Sequence, residues 1–421
     1  MTTEFSTSAR FPAADAAARS GDRSRRRLAI GFLNGAHALD HFVILIYPTV
    51  VIELAAIYGR SYSELIALGT ASFIAFGLFS LPAGWLADRW SRRNMMATFY
   101  IGCGLSLIGA AFAPSLYALA VALSALGVFA AIYHPVGTAM LIENATQRGR
   151  SLAFNGVCGN LGVSLAAGIT AALTAAFSWR GAFLVPGLIC IAAGVAYLWM
   201  VADERRHAAA RSTSPDVALS APIAATIFGL FVVVALSAGL VFNTISVALP
   251  KIVDERVGND ISLVAVGGLT TAVFLCGGLA QIAVGRLVEH IRPHILLATM
   301  AIMQFVGVVW AAYATGAALL VALAFTMAAI YGQITVNDLV IARYTADAWR
   351  GRVYAVRYFL TFAISGAAVS MIAILYGRGG FGLVLGVTAF VALGFLVAAL
   401  LIAFLANGVE KARVPQTAPA E

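Results

Sequence analysis

Of the 421 residues, 61% are hydrophobic and only 11% are charged, and the mean hydropathy is +0.91, where soluble domains carry roughly 25% charged residues. That excludes a water-soluble globular domain. The formal charge of +8 comes almost entirely from Arg in short stretches between apolar runs, a pattern that reports membrane orientation rather than a nucleic-acid partner.

In chain order, the first 27 residues are polar, end in the basic run RSRRR and lack the apolar core and cleavage site of a signal peptide. They are read as a disordered cytoplasmic tail, 1–27. A helix needs about 20 apolar residues to cross a bilayer, and twelve such segments follow: 28–57, 62–87, 94–113, 116–142, 151–176, 180–202, 221–249, 261–285, 293–313, 316–343, 353–376 and 380–407. The one long polar interruption, ADERRHAAARSTSPDVALSAP, separates six from six. It reads as a cytoplasmic linker, 203–220, between an N-terminal bundle at 28–202 and a C-terminal bundle at 221–407, with a second cytoplasmic tail at 408–421. With the N-terminus inside, Lys and Arg favour the inner side by about four to one, the outer ones being Arg60, Arg180, Lys251, Arg256 and Arg378. The expected fold class is an all-α membrane protein of twelve transmembrane helices in two six-helix bundles, with both termini cytoplasmic. Cys103, Cys158, Cys190 and Cys276 lie inside apolar segments without CxxC spacing and read as packing residues, not as a disulfide framework or a zinc site.

The halves echo one another. GWLADRWSRR at Gly84 to Arg93, AIY at Ala131 to Tyr133 and RGR at Arg148 to Arg150 return about 200 residues later as GRLVEHIRP, AIY and RGR, and two parallel repeats with a site between them form a transporter architecture. GWLADRWSRR resembles the signature G-x-L-x-D-R-x-x-R-R of the major facilitator superfamily, and with the twelve segments and the linker the resemblance covers nearly the whole chain. It implies a conformational latch at Gly84, Asp88, Arg89, Arg92, Arg93 and Glu143. Asp88 would cap the start of the eleventh helix, whose unpaired N–H groups favour an anion, and Arg92 would pair with Glu143 near the inner end of the fourth. Such a latch breaks when the cavity opens inward. In the second half Glu289 and His290 stand in place of the Asp–Arg pair. HALDHFVILIYP in the first segment, YHP at Tyr133 to Pro135 and GNLG at Gly159 to Gly162 further resemble the fosmidomycin-resistance-type drug-efflux group. The Gly-Pro pair of the antiporter signature is missing from the fifth segment, which keeps Gly156, Gly159, Gly162 and Gly168.

The stretch NGAHALDHFVILIYP places Asn34, His37 and His41 on an i, i+3, i+7 stripe with Asp40 beside it. An ionised Asp facing lipid is penalised by several kcal/mol, so the stripe must face protein or water. The resemblance implies that segments one, four, seven and ten line the cavity, and these also supply Tyr133, His134, Asn243, Thr244, Gln333, Asn337 and Asp338. Imidazole titrates at about 6.5, which suits Asp40, His37 and His134 to proton coupling. His134 has a second reading, as a structural histidine bonding a carbonyl freed by Pro135, and His41 as a packing residue. Arg357 has two readings as well, binding an anionic substrate or reaching the membrane interface. No P-loop and no nucleophile–base constellation appears, so the chain is expected to be no enzyme, to use no ATP directly, and to need no cofactor and no metal. The function expected is proton-coupled efflux of an amphipathic or anionic small molecule by alternating access in an inner membrane. An uptake symporter and a non-transporting sensor or scaffold are the alternatives. The partners expected are a small-molecule substrate, protons and the lipid bilayer, with no nucleic acid, and a monomer as the working unit.

Overall fold

The structure is a computed structural model and describes residues 12–203, 221–258, 261–344 and 347–411. Residues 204–220 of the expected linker, 1–11 of the first tail and 412–421 of the second lie outside the described residues. Every element is helical. The chain runs through α1 (Pro12–Ile44), α2 (Ile46–Tyr58), α3 (Tyr62–Ala67), α4 (Thr70–Leu78), α5 (Ser80–Arg89), α6 (Arg92–Ala111) and α7 (Leu116–Ala130). A π turn (Tyr133–Gly137) leads into α8 (Thr138–Asn144), followed by α9 (Arg148–Met200), α10 (Ala221–Arg256), α11 (Leu263–Leu287), α12 (Pro293–Tyr313), α13 (Gly316–Tyr344) and α14 (Asp347–Lys411).

Local chemistry accounts for the boundaries. α1 starts inside the stretch expected to be a disordered tail, because PAADAAAR opens with Pro at the first helical position and continues in Ala, the best helix former. The break between α1 and α2 at Leu45 (φ −97°, ψ 2°) follows from Pro48, which has no N–H for the Ile44 carbonyl and whose ring clashes with it. Pro135 acts the same way in the fourth apolar segment, and the ladder there widens into the π turn. Ser61, Ser91, Ser115 and Ser262 each cap the helix that follows by accepting a backbone N–H with the hydroxyl.

Among the described residues nine helices are long and apolar enough to cross a membrane, or ten if Tyr62–Leu78 and Ser80–Arg89, bent by 42°, form one span. Two of the nine are far longer than one crossing needs, Gly149–Met200 with 52 residues and Phe359–Gly408 with 50. Each is interrupted, the first at Ser178 (φ 73°) and the second at Gly379 and Gly380 (φ 59°). Large apolar side chains such as Phe112, Trp199, Phe390 and Phe404 are exposed, as lipid-facing positions are.

α9 packs on α1, α6 and α11, and α14 on α10, α12 and α4, so α9–α11 and α4–α14 are the principal contacts between the parts of the chain before and after residues 204–220. The Gly168 N–H donates to Thr271 Oγ1 at 3.1 Å, and Ser365 Oγ to the Phe73 carbonyl at 3.1 Å. Tyr62 of α3 and Tyr376 of α14 meet edge to face at 4.9 Å, and Tyr376 donates to Glu255. Lys251, Asp254 and Glu255 thus belong to the last turns of α10 and pair there.

Candidate functional site

Three elements converge on one buried carboxylate: α1, the π turn, and the first turns of α9. Asp40 has 0% of its surface accessible, and neither oxygen accepts a hydrogen bond from the described residues. His134 Nε2 lies 3.3 Å from Asp40 Oδ2. His37 turns its Nδ1 to the Asn155 carbonyl at 2.8 Å; a carbonyl only accepts, so Nδ1 carries a proton and in the neutral ring Nε2 keeps its lone pair. The His37 and His41 rings are 5.0 Å apart, and each is 5.3 Å from the ring of His134. The spacing of His37 and Asp40 along α1 predicts that these two are partners. The nearest imidazole nitrogen to Asp40 is instead that of His134, brought across by the π turn, while the Nδ1 of His37 is engaged by α9.

Asn155 ties the three elements together. Its Oδ1 accepts from the Tyr133 hydroxyl at 3.0 Å and its Nδ2 donates to Asn34 Oδ1 at 3.0 Å. It is absent from the residues the sequence singles out because the fifth segment is not among those read as lining the cavity. The signal that marks it is an amide in an apolar run just before GNLG. Those glycines set the approach of α9 to α1: a Cβ at Gly162 would overlap the Ala38 carbonyl, and one at Gly159 would lie 2.5 Å from His37 Nε2. Gly84 faces Pro135 in the same way, its would-be Cβ 3.3 Å from the ring, which seats α5 against the turn carrying His134.

The polar residues expected from the second half stay apart from this cluster among the described contacts. Asn243 Nδ2 donates to the Gly239 carbonyl of its own helix at 2.8 Å, and Thr244, Gln333 and Asn337 are buried. Asp338 and Arg357 fall outside the residues whose side chains are described. The two halves do share an amide bridge nearby, from Asn160 to Gln281.

At the start of α6, Arg92 donates to Asp88 of α5 at 2.8 Å and to Glu143 of α8. Arg93 donates to the carbonyls of Leu198 and Val201, a cation closing the C-terminal end of α9. Arg89 lies over the Trp85 ring at 3.9 Å. The side chains at the start of α14, where Asp88 is expected to cap, are outside the described residues.

Residues 30–258 match the Major Facilitator Superfamily. The membrane sensor protein UhpC of Salmonella typhimurium is 27% identical over 182 residues, 43% of this chain and 41% of that protein. The gallate transporter of Pseudomonas putida is 27% identical over 189 residues, 44% of this chain and 41% of that one. The match thus spans about two fifths of the length of these curated relatives. In fold, 92% of the chain superposes on 97% of a bacterial homolog of the human lysosomal transporter Spinster, crystallised in an inward-facing and occupied conformation, with a TM-score of 0.71 and 12% identity. These are transport and sensor proteins, not enzymes. With its apolar helices, this fold and more than half of its length matched, the chain belongs to the Major Facilitator Superfamily and is a multi-pass membrane protein.

Proposed function

We propose that this protein is a secondary active transporter working by alternating access between two six-helix bundles, 28–202 and 221–407, in a bacterial-type inner membrane with both termini cytoplasmic. The breaks at Ser178 and at Gly379 and Gly380 support dividing each long helix into two spans, and the bias of Lys and Arg supports the orientation. The observation that carries the reading is the Asp40 cluster. A carboxylate buried without hydrogen bonds in a membrane helix is expensive, and such groups in membrane helices mark substrate or ion pathways.

The traffic proposed is efflux of an amphipathic or anionic small molecule in exchange for protons. Asp40, His37 and His134 form the coupling centre, and Asn34, His41, Tyr133, Asn243, Thr244, Gln333, Asn337 and Asp338 the wall of the cavity. The similarity to a gallate transporter supports a carboxylate-bearing solute. The meeting of HALDHFVILIYP, YHP and GNLG residues at a single site supports the fosmidomycin-resistance-type group. The protein reconstituted in liposomes and screened against small organic acids and amphipathic solutes is expected to concentrate one of them when a pH gradient is imposed. A preparation that binds such a solute but moves none under any gradient would favour the second reading, a membrane sensor, which the similarity to UhpC supports.

Arg92, held by Asp88 and Glu143, is proposed to control cycling from the end of the bundle. Arg92→Ala is expected to slow transport while leaving equilibrium solute binding within a few-fold. Lost affinity with an unchanged distribution of inward- and outward-open states would place Arg92 in the binding site instead.

A further inference from the structure

The imidazoles of His37, His41 and His134 have a property that solute binding alone does not require. They come from α1 and from the π turn, yet each offers a ring nitrogen such that all three nitrogens lie within 4.8 Å of one another. All three residues are only partly buried. We propose that these three histidines, with Asp40 beside them, bind a divalent transition-metal cation of the zinc, cobalt or nickel type.

Four observations carry this. First, three neutral imidazoles are a donor set that borderline divalent metals favour, whereas magnesium and calcium take oxygen donors. Second, the hydrogen bond from His37 Nδ1 to the Asn155 carbonyl is the arrangement that orients a metal-ligating histidine, since it fixes the tautomer and aims the Nε2 lone pair away from the bond. Third, Gly159 lets the face of the His37 ring lie against α9, where a Cβ would come within 2.5 Å of Nε2, and so helps to fix the orientation of that ring. Fourth, Asp40 is fully buried and its oxygens accept no hydrogen bond from the described residues, so a cation held by the imidazoles would sit beside a carboxyl group whose ionised form it favours. Metal–nitrogen bonds of about 2.0–2.1 Å in a tetrahedral site put ligand nitrogens roughly 3.4 Å apart, so small ring rotations of His37, His41 and His134 complete the site.

Three histidines leave a tetrahedral ion one position for an oxygen donor. This part rests on the reading of the cluster as the transport site: the cation held there would receive the carboxylate of the transported anion, so that the two bind together.

The test uses the purified full-length protein in detergent, titrated with Co2+ and followed by its visible ligand-field absorption, with Zn2+ as competitor. One saturable, Zn2+-displaceable site is expected. His41→Ala is the informative variant, because no described hydrogen bond of the fold depends on that ring. It should weaken Co2+ binding at least about tenfold, as should His134→Ala, the size of loss typical when a metal's surroundings are disturbed. His290→Ala, on an exposed loop, should bind as the unaltered protein does. Absence of a saturable signal, or a signal undiminished in both the His41→Ala and His134→Ala variants, would overturn the metal site. The transport reading is separable: gradient-driven solute uptake that persists in EDTA alongside failed Co2+ binding leaves a transporter without this site. Co2+ binding that depends on the histidines, with no solute transported, leaves the site and removes the transporter.

Discussion

Asp40→Asn is expected to abolish concentrative transport while raising the apparent melting temperature of the protein. The two effects have opposite signs because they have one cause. The Asp40 carboxylate has no exposed surface and accepts no hydrogen bond from the described residues, and a buried polar group left unsatisfied costs about 1–3 kcal/mol, more when charged. The isosteric amide carries no charge, and its N–H can reach toward His134 Nε2, 3.3 Å from the present Oδ2. Stability therefore rises by about 1–3 kcal/mol, while the charge on which coupling depends is gone. A group that destabilises the fold and is needed for activity is one kept for function. Thermal denaturation in detergent and gradient-driven uptake into proteoliposomes read the two effects separately. If transport is lost and the melting temperature falls as well, Asp40 is a structural residue and the coupling centre lies elsewhere.

Gly162→Ala and Gly159→Ala, three residues apart on the same face of α9, are expected to fail differently. At Gly162 the added methyl overlaps the Ala38 carbonyl of α1, and backbone cannot rotate out of the way, so α1 and α9 must separate. Overpacking of this kind costs about 1–3 kcal/mol or more and should show as low yield and a lowered melting temperature. At Gly159 the obstacle is the His37 ring, which can turn. It then gives up its 2.8 Å bond to the Asn155 carbonyl and with it the alignment of the histidines. Gly159→Ala should therefore keep most of its stability and lose transport by about tenfold or more, the scale on which misplacing a positioned group acts. Normal transport by Gly159→Ala would show that the orientation of His37 does not matter.

That the chain is built of apolar helices able to cross a membrane was legible in the sequence because apolar run length and the helical repeat are local properties: about 20 apolar residues make a crossing whatever lies beside them. The same locality put His37, Asp40 and His41 on one stripe of one helix. It also marked the disturbance at Pro135, since a missing N–H acts only four residues away; the break at Leu45, caused by Pro48, lies inside the segment read as continuous over 28–57. α1 begins at Pro12, within the stretch expected as a tail, because its run of Ala has strong helix propensity. The partnership of Asp40 with His134, the role of Asn155 in joining three elements, and the separation of Asn243 from the cluster were settled only by the tertiary structure. Each depends on which helices touch and at what rotation. Hydrophobicity is non-directional and says that a helix is buried without saying against what. Rotation and closeness of approach are set by small residues such as Gly159 and Gly162 meeting a particular backbone or ring on another helix, and that is information no single segment contains.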